Sequence, residues 1–143
     1  MKPNGYIAIL LGCLLLTKVW ASEPALLVNL VGVRSGLGNL RVGVFADSAS
    51  FRKETKALTG VQVPARLGTM KVVFADLPPG RYAIMAYHDE DANGQLNRRF
   101  GMFPSEGYGL SNNPQVFGPP AFGDSAFEVV AGKLNEIRID LRY

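Results

Sequence analysis

Apolar and polar residues alternate along most of the chain, and this period of two predicts β-strands rather than helices. Seven segments are strand-like and are separated by residues typical of turns. By number they are 26–33, 40–46, 61–63, 70–75, 81–88, 127–130 and 136–142. About seven short strands predict an all-β fold, an antiparallel β-sandwich of transthyretin-like or immunoglobulin-like type.

Segment 81–88 is apolar on both faces, which indicates a central strand. Tyr82, Ile84 and Ala86 share one face, while Ala83, Met85 and Tyr87 share the other. His88 ends this strand on the face of Tyr82, so a hydrogen-bonded structural role is expected for it.

Two segments break the strand pattern. Residues 50–58 predict a short helix capped by Ser50. Residues 98–125 have no period and contain five glycines and four prolines, so they predict one long irregular loop. Its aromatic residues carry enough apolar area to hold the loop against the domain. They are Phe100, Phe103, Tyr108, Phe117 and Phe122.

The first 21 residues have the three parts of a secretory signal peptide. Lys2 gives a basic start, residues 6–16 are apolar, and Ala21 ends a segment of the kind that signal peptidases cleave. We expect an exported protein, periplasmic or secreted, with one domain at residues 22–143. Lipid anchoring at Cys13 is the alternative, because this cysteine follows a short Leu-Leu-Gly segment.

Cleavage after Ala21 would change the chemistry available to the domain. Residues 22–143 contain no cysteine, so disulfides, a thiol nucleophile and a cysteine-ligated zinc site are excluded. They carry 13 basic and 12 acidic residues, a near-neutral balance that makes nucleic acid an unfavourable partner. No apolar run in this part is long enough for a transmembrane helix.

The segment after His88 resembles the start of a calcium-binding loop. Oxygen-bearing side chains alternate at Asp89, Asp91 and Asn93, Gly94 allows a sharp turn, and the backbone carbonyl of Gln95 takes the seventh position. Alternate side chains in a tight loop converge on one point, as a hard cation requires. This pattern predicts a Ca²⁺ site.

Two departures keep a simpler interpretation open. The twelfth position of the loop is Phe100 instead of a bidentate glutamate, and Glu106 can replace it only if the chain folds back. Asn93 and Gly94 are also the preferred pair of a tight hairpin turn. A cation site and a plain turn therefore both fit the sequence.

Residues 106–114 are the second candidate site. His88, Glu106 and Ser111 offer a base, an acid and a nucleophile, but the sequence contains no nucleophile-elbow pattern. The alternative is that polar side chains here bond to the backbone and shape the loop, or line a ligand site. The residues in question are His88, Glu106, Tyr108, Ser111, Asn112 and Asn113.

Three segments together resemble domain-of-unknown-function family 2141, a family of small exported bacterial proteins with no assigned activity. They are 74–82 (FADLPPGRY), 86–89 (AYHD) and 104–113 (PSEGYGLSNN). The resemblance covers about residues 25–143 and implies an extracytoplasmic β-sandwich but no reaction. Transthyretin-like hydroxyisourate hydrolases rely on several histidines and a Tyr-Arg-Gly-Ser tail. This chain has one histidine and ends in Tyr143, so that activity is not implied.

Three functions are compatible with these features. The leading hypothesis is a non-catalytic, extracytoplasmic binding or structural module of unknown ligand, with Ca²⁺ in the loop. The alternative is a hydrolase that acts on a small or sugar-like substrate in a pocket of the 88–113 loops. A third is an assembly subunit that pairs through an exposed strand edge. The pair Arg98-Arg99 is either a solvated surface or an anion site.

Overall fold

The computed structural model describes residues 25–143, which form ten strands, one 3-10 turn and one short helix. The strands are β1 (Leu26–Val33), β2 (Asn39–Phe45), β3 (Thr59–Pro64), β4 (Gly68–Phe74), β5 (Gly80–Asp89), β6 (Arg98–Arg99), β7 (Phe103–Pro104), β8 (Tyr108–Leu110), β9 (Phe127–Val129) and β10 (Asn135–Asp140). The 3-10 turn is Glu54–Lys56, and the helix α1 is Phe122–Ser125.

The larger strands form the two sheets of a sandwich. One sheet has the order β10–β1–β4, and the other has the order β3–β2–β5–β8. Strand β9 pairs with the first residues of β5, and β6 and β7 form a separate hairpin. The all-β sandwich predicted from the sequence is confirmed, and its pairs are antiparallel except for β1 with β10.

Burial follows the alternation of the sequence. In β5, Tyr82, Ile84 and Ala86 face the main core between the sheets, whereas Ala83 and Met85 face a second cluster on the outer side. The second cluster also contains Phe45, Phe51 and Leu110. Full burial of one large apolar side chain contributes about 1.5–3 kcal/mol. Because β5 buries side chains in both clusters, its central position is stabilised from both faces.

The helix predicted at residues 50–58 is wrong in extent. Only Glu54–Lys56 is helical, as a single 3-10 turn. Arg52 has a φ of 68°, a left-handed conformation that an α-helix cannot contain. Ser50 bonds to Asp47 instead of capping a helix, and Phe51 packs edge-on against Phe45.

Residues 98–125 contain more regular structure than the sequence predicts. They include β6, β7, β8 and α1, and β8 is part of the second sheet. The expected role of the aromatic residues is also wrong for three of the five. Tyr108 and Phe122 are partly buried, but the side chains of Phe100, Phe103 and Phe117 are exposed. The sequence pattern cannot separate the two sets, because both lie among the same turn residues.

The predicted signal peptide, its cleavage after Ala21 and the lipidation alternative at Cys13 fall outside the described residues. Within residues 25–143, no helix is long and apolar enough to cross a membrane.

Candidate cation site at the end of strand β5

Asp89 ends β5 and is fully buried. Arg41, on the adjacent strand β2, donates from Nε to Oδ2 of Asp89 at 2.9 Å. The backbone N–H groups of Asn93 and Gly94 donate to the two carboxylate oxygens at 3.0 and 2.9 Å. These partners offset the cost of burying a charge and fix the position of the carboxylate.

Asp91 and two asparagines form an exposed network beside Asp89. The side-chain amides of Asn93 and Asn97 donate to Oδ2 of Asp91 at 3.0 and 2.8 Å. Asn93 also donates to Oδ1 of Asn97 at 2.7 Å. The hydrogen bond from Asn97 lowers the pKa of Asp91 below its ordinary value, so Asp91 is a carboxylate at neutral pH.

Asn97 was missed by the sequence analysis, although a signal for it existed. It occupies the ninth position of the loop that starts at Asp89, a position that carries an oxygen ligand in calcium loops. The backbone N–H of Gln95 donates to Oδ1 of Asn93 at 2.8 Å.

Glu106 folds back to the end of β5. Its side chain is buried, and its two oxygens accept the backbone N–H groups of Glu90 at 2.9 Å and Asn97 at 3.0 Å. Phe100, at the twelfth loop position, is exposed at a hairpin tip. Glu106 therefore folds back toward Asp89, as a substitute for the missing glutamate of the twelfth position must do.

Three carboxylates converge as a result. One oxygen each of Asp89, Asp91 and Glu106 lie within 4.8 Å of one another. Oxygens bound to one Ca²⁺ at 2.3–2.6 Å are at most about 5 Å apart, so the spacing fits a single hard cation. Asp89 and Glu106 are buried and Asp91 is exposed, which leaves the group open to solvent on one side.

His88 is fully buried beside this group and both of its ring nitrogens have partners. Nε2 lies 2.7 Å from the carbonyl oxygen of Leu37, and Nδ1 lies 2.8 Å from the hydroxyl of Tyr143. Because a carbonyl can only accept, Nε2 carries a proton, and the Tyr143 hydroxyl can donate to Nδ1. The Tyr143 hydroxyl also accepts the N–H of Arg34 at 3.1 Å. This arrangement is structural.

Ser111 and the residues after it bond to the backbone. The hydroxyl of Ser111 accepts the N–H of Ile84 at 2.8 Å and donates to the carbonyl of Ser125. The side-chain amide of Asn113 donates to the carbonyl of Arg138 and accepts the backbone N–H of Asp140. These contacts fasten the chain after β8 to β5, α1 and β10.

Asn112 and Tyr108 also hold the chain around β8 in place. Asn112 donates to the carbonyls of Asp124 and Ala126, and its φ of 65° is a left-handed conformation that asparagine tolerates. Tyr108 forms a two-way backbone bridge with Arg142.

The hydrolase constellation is not assembled. Ser111 lies beside Ile84, four residues from His88 along β5, which places them about 13 Å apart along the strand. Glu106 is bonded to Glu90 and Asn97 instead of to His88. No two of the three side chains are hydrogen-bonded to each other.

A shallow cleft of about 220 Å³ adjoins the loop on the outer face of β3, β2 and β5. Arg41 and Tyr87 line it, and Tyr87 donates its hydroxyl to the carbonyl of Gly94 at 3.2 Å. Burial, followed by the charge of Glu54, raises the pKa of Tyr87 to about 12. Glu54 also lines the cleft and is paired with Arg98 at 3.1 Å.

The fold and this site define a small β-sandwich with a carboxylate cluster in the loops at one end. Residues 28–138 match the family model described as an uncharacterized protein conserved in bacteria, DUF2141. The chain belongs to the DUF2141 family. No curated protein and no solved structure matched the chain significantly.

Proposed function

We propose that the protein is an extracytoplasmic, non-catalytic binding or structural module in which one Ca²⁺ ties the 88–113 segment to the end of the sandwich. The ligands are the carboxylates of Asp89, Asp91 and Glu106. Asn93 and Asn97 lie beside Asp91 and hold its carboxylate in place through their side-chain N–H groups.

The observation that carries the proposal is the convergence of the three carboxylates within 4.8 Å. Glu106 is 17 positions after Asp89 in the chain, so only the folded path of residues 98–105 brings the two together. A hard cation that takes six to eight oxygens is the ligand that such a group fits best.

Charge supports a divalent ion. Asp89 has a partner of opposite charge in Arg41, while the oxygens of Glu106 receive only neutral N–H groups. The hydrogen bond from Asn97 keeps the pKa of Asp91 low, so Asp91 retains its negative charge at neutral pH. A bound Ca²⁺ would balance this excess of negative charge.

The expected affinity is weak. With three carboxylates, one of them already paired with Arg41, we expect a Kd of about 10⁻⁴–10⁻³ M, the range of extracellular calcium modules. Such a site fills only where calcium is plentiful, which agrees with the export that residues 1–21 predict.

Isothermal titration and calorimetric melting in calcium test the proposal on three proteins. Asp91→Asn removes one ligand charge at an exposed position, so the structure should persist while calcium affinity falls at least about ten-fold. Asp76→Asn is the matched control, because Asp76 is an exposed residue shortly before the opposite end of β5. Its calcium affinity should equal that of the wild type.

The melting experiment gives an independent measure. Calcium at ten times its Kd should stabilise the wild type by about 1.4 kcal/mol. This corresponds to a rise of roughly 5 °C in Tm. An unchanged Tm at about 10 mM calcium, ten times the weakest expected Kd, together with no heat of binding, would contradict the proposal and leave the loop as a hydrogen-bonded turn.

The extracytoplasmic location has its own test. The purified exported protein should have the mass of residues 22–143, because the segment ending at Ala21 has the pattern of a signal peptide. A chain that stays in the cytoplasm with residues 1–21 intact would contradict this part of the proposal.

A further inference from the structure

The β6–β7 hairpin presents apolar side chains to solvent. Phe100 is 89 % exposed, Met102 is 69 % exposed and Phe103 is 61 % exposed. Contiguous exposed apolar side chains on a soluble domain indicate an interaction surface. We name residues 98–104 the tip hairpin.

The backbone of the tip hairpin is strained at its most exposed residue. Met102 donates its N–H to the carbonyl of Arg99 at 3.1 Å, and the two residues between them, Phe100 and Gly101, have φ values of 53° and 69°. Such a turn favours Asn or Gly at its first central position, and a bulky aromatic residue there is an outlier. Strain at an exposed aromatic residue is typical of a functional position.

Basic residues lie in the first strand of the tip hairpin and in a segment paired with it. Arg98 and Arg99 form its first strand, and Arg98 pairs with Glu54 at 3.1 Å. That ion pair brings the exposed segment around Glu54 to the base of the hairpin. The segment adds Arg52, Lys53 and Lys56 to the two arginines.

We propose that the tip hairpin docks the protein on an anionic phospholipid bilayer, with Phe100, Met102 and Phe103 in the interface and the basic residues against the headgroups. The three apolar side chains are mostly exposed at one short hairpin, so they can enter a soft surface together. Phenylalanine and other apolar side chains insert at the boundary between headgroups and acyl chains, and each basic residue near an anionic surface adds affinity. Arg98 is paired with Glu54, and the other four basic residues are complementary in charge to such a surface.

Vesicle co-sedimentation of residues 22–143 and their variants tests the inference, because the apolar residues 6–16 of the predicted signal peptide would themselves bind vesicles. All measurements contain EDTA, so bridging by calcium cannot produce binding and the result does not depend on the proposed Ca²⁺ site. Wild type should sediment with phosphatidylglycerol-containing vesicles. Its partition coefficient should fall about five-fold in Arg99→Gln.

Phe100→Asn separates docking from a structural role. Asparagine suits the positive φ of this turn, so the Tm should stay the same or rise, while the partition coefficient falls roughly ten-fold. Leu134→Asn is the matched control, because Leu134 is an exposed residue between β9 and β10, at the opposite end of β5 from Asp89. Its partition coefficient should equal that of wild type.

A site-specific signal completes the test. Phe100→Trp should give an emission that shifts to the blue on anionic vesicles and is quenched by brominated lipid, after subtraction of the wild-type signal. Equal partition of wild type and Phe100→Asn would overturn the inference, because binding would then come from another part of the chain. No binding to anionic vesicles would also overturn it and would favour a protein as the occupant of the tip.

Discussion

Asp89, Asp91 and Asn93 could be named as candidate cation ligands from the sequence because they lie within five positions of one another. Their alternation and the glycine that follows are local features. Glu106 could be named only as a substitute, because its position depends on how residues 98–105 run. The structure brings it to the backbone N–H groups of Glu90 and Asn97, which no local pattern predicts.

The hydrogen-bond partners of His88 also could not be predicted from the residues near it in the sequence. The strand period predicts that it faces the core, and the structure places it there. Its partners, Leu37 and Tyr143, are 51 and 55 positions away in the chain. Partners at such separations are set by strand register and not by the residues near the histidine.

Tyr143→Phe should destabilise the domain by about 1–3 kcal/mol, because it removes the hydrogen-bond partner of a buried ring nitrogen of His88. Urea denaturation measures the change. Tyr108→Phe is the matched control and should differ from wild type by less than about 0.5 kcal/mol. Equal stability of Tyr143→Phe and wild type would show that His88 does not need this hydroxyl.

At the scale of elements, seven of the ten strands that the structure describes were predictable, and the connections were not. All seven predicted strands exist, with ends that differ by at most two residues. Residues 50–58 carry a helix-like sequence, but Phe51 contributes more by packing against Phe45 and Phe122 than a helical turn would. Strands β6, β7 and β8 have two or three residues each, too few for a period to be visible.

Ser111→Ala tests how the chain after β8 is fastened. The buried hydroxyl satisfies the N–H of Ile84 and the carbonyl of Ser125, so its loss should cost about 1–3 kcal/mol of stability. Hydrogen exchange at the Ile84 amide should increase as well. Ser48→Ala, at an exposed turn, is the control and should leave both quantities unchanged. Unaltered exchange at Ile84 in Ser111→Ala would contradict this role.

At the scale of the whole molecule, the sandwich separates its two ends along β5. Asp89 and Gly80 are about 30 Å apart, nine residues along one strand. The carboxylate group and the base of the tip hairpin both lie at the Asp89 end, because Asn97 and Ser105 are joined by a backbone hydrogen bond at 2.8 Å. The period of two in the sequence predicts the strands of the two sheets. Which loops lie together at one end depends on the register of those strands, which the period does not predict.

A crystal structure grown in millimolar calcium, with anomalous diffraction data, tests the central claim most directly. We predict one anomalous peak with calcium–oxygen distances of about 2.3–2.6 Å to Asp89, Asp91 and Glu106. A map without a peak at these three carboxylates, with their oxygens bonded only to protein and water, would contradict the account.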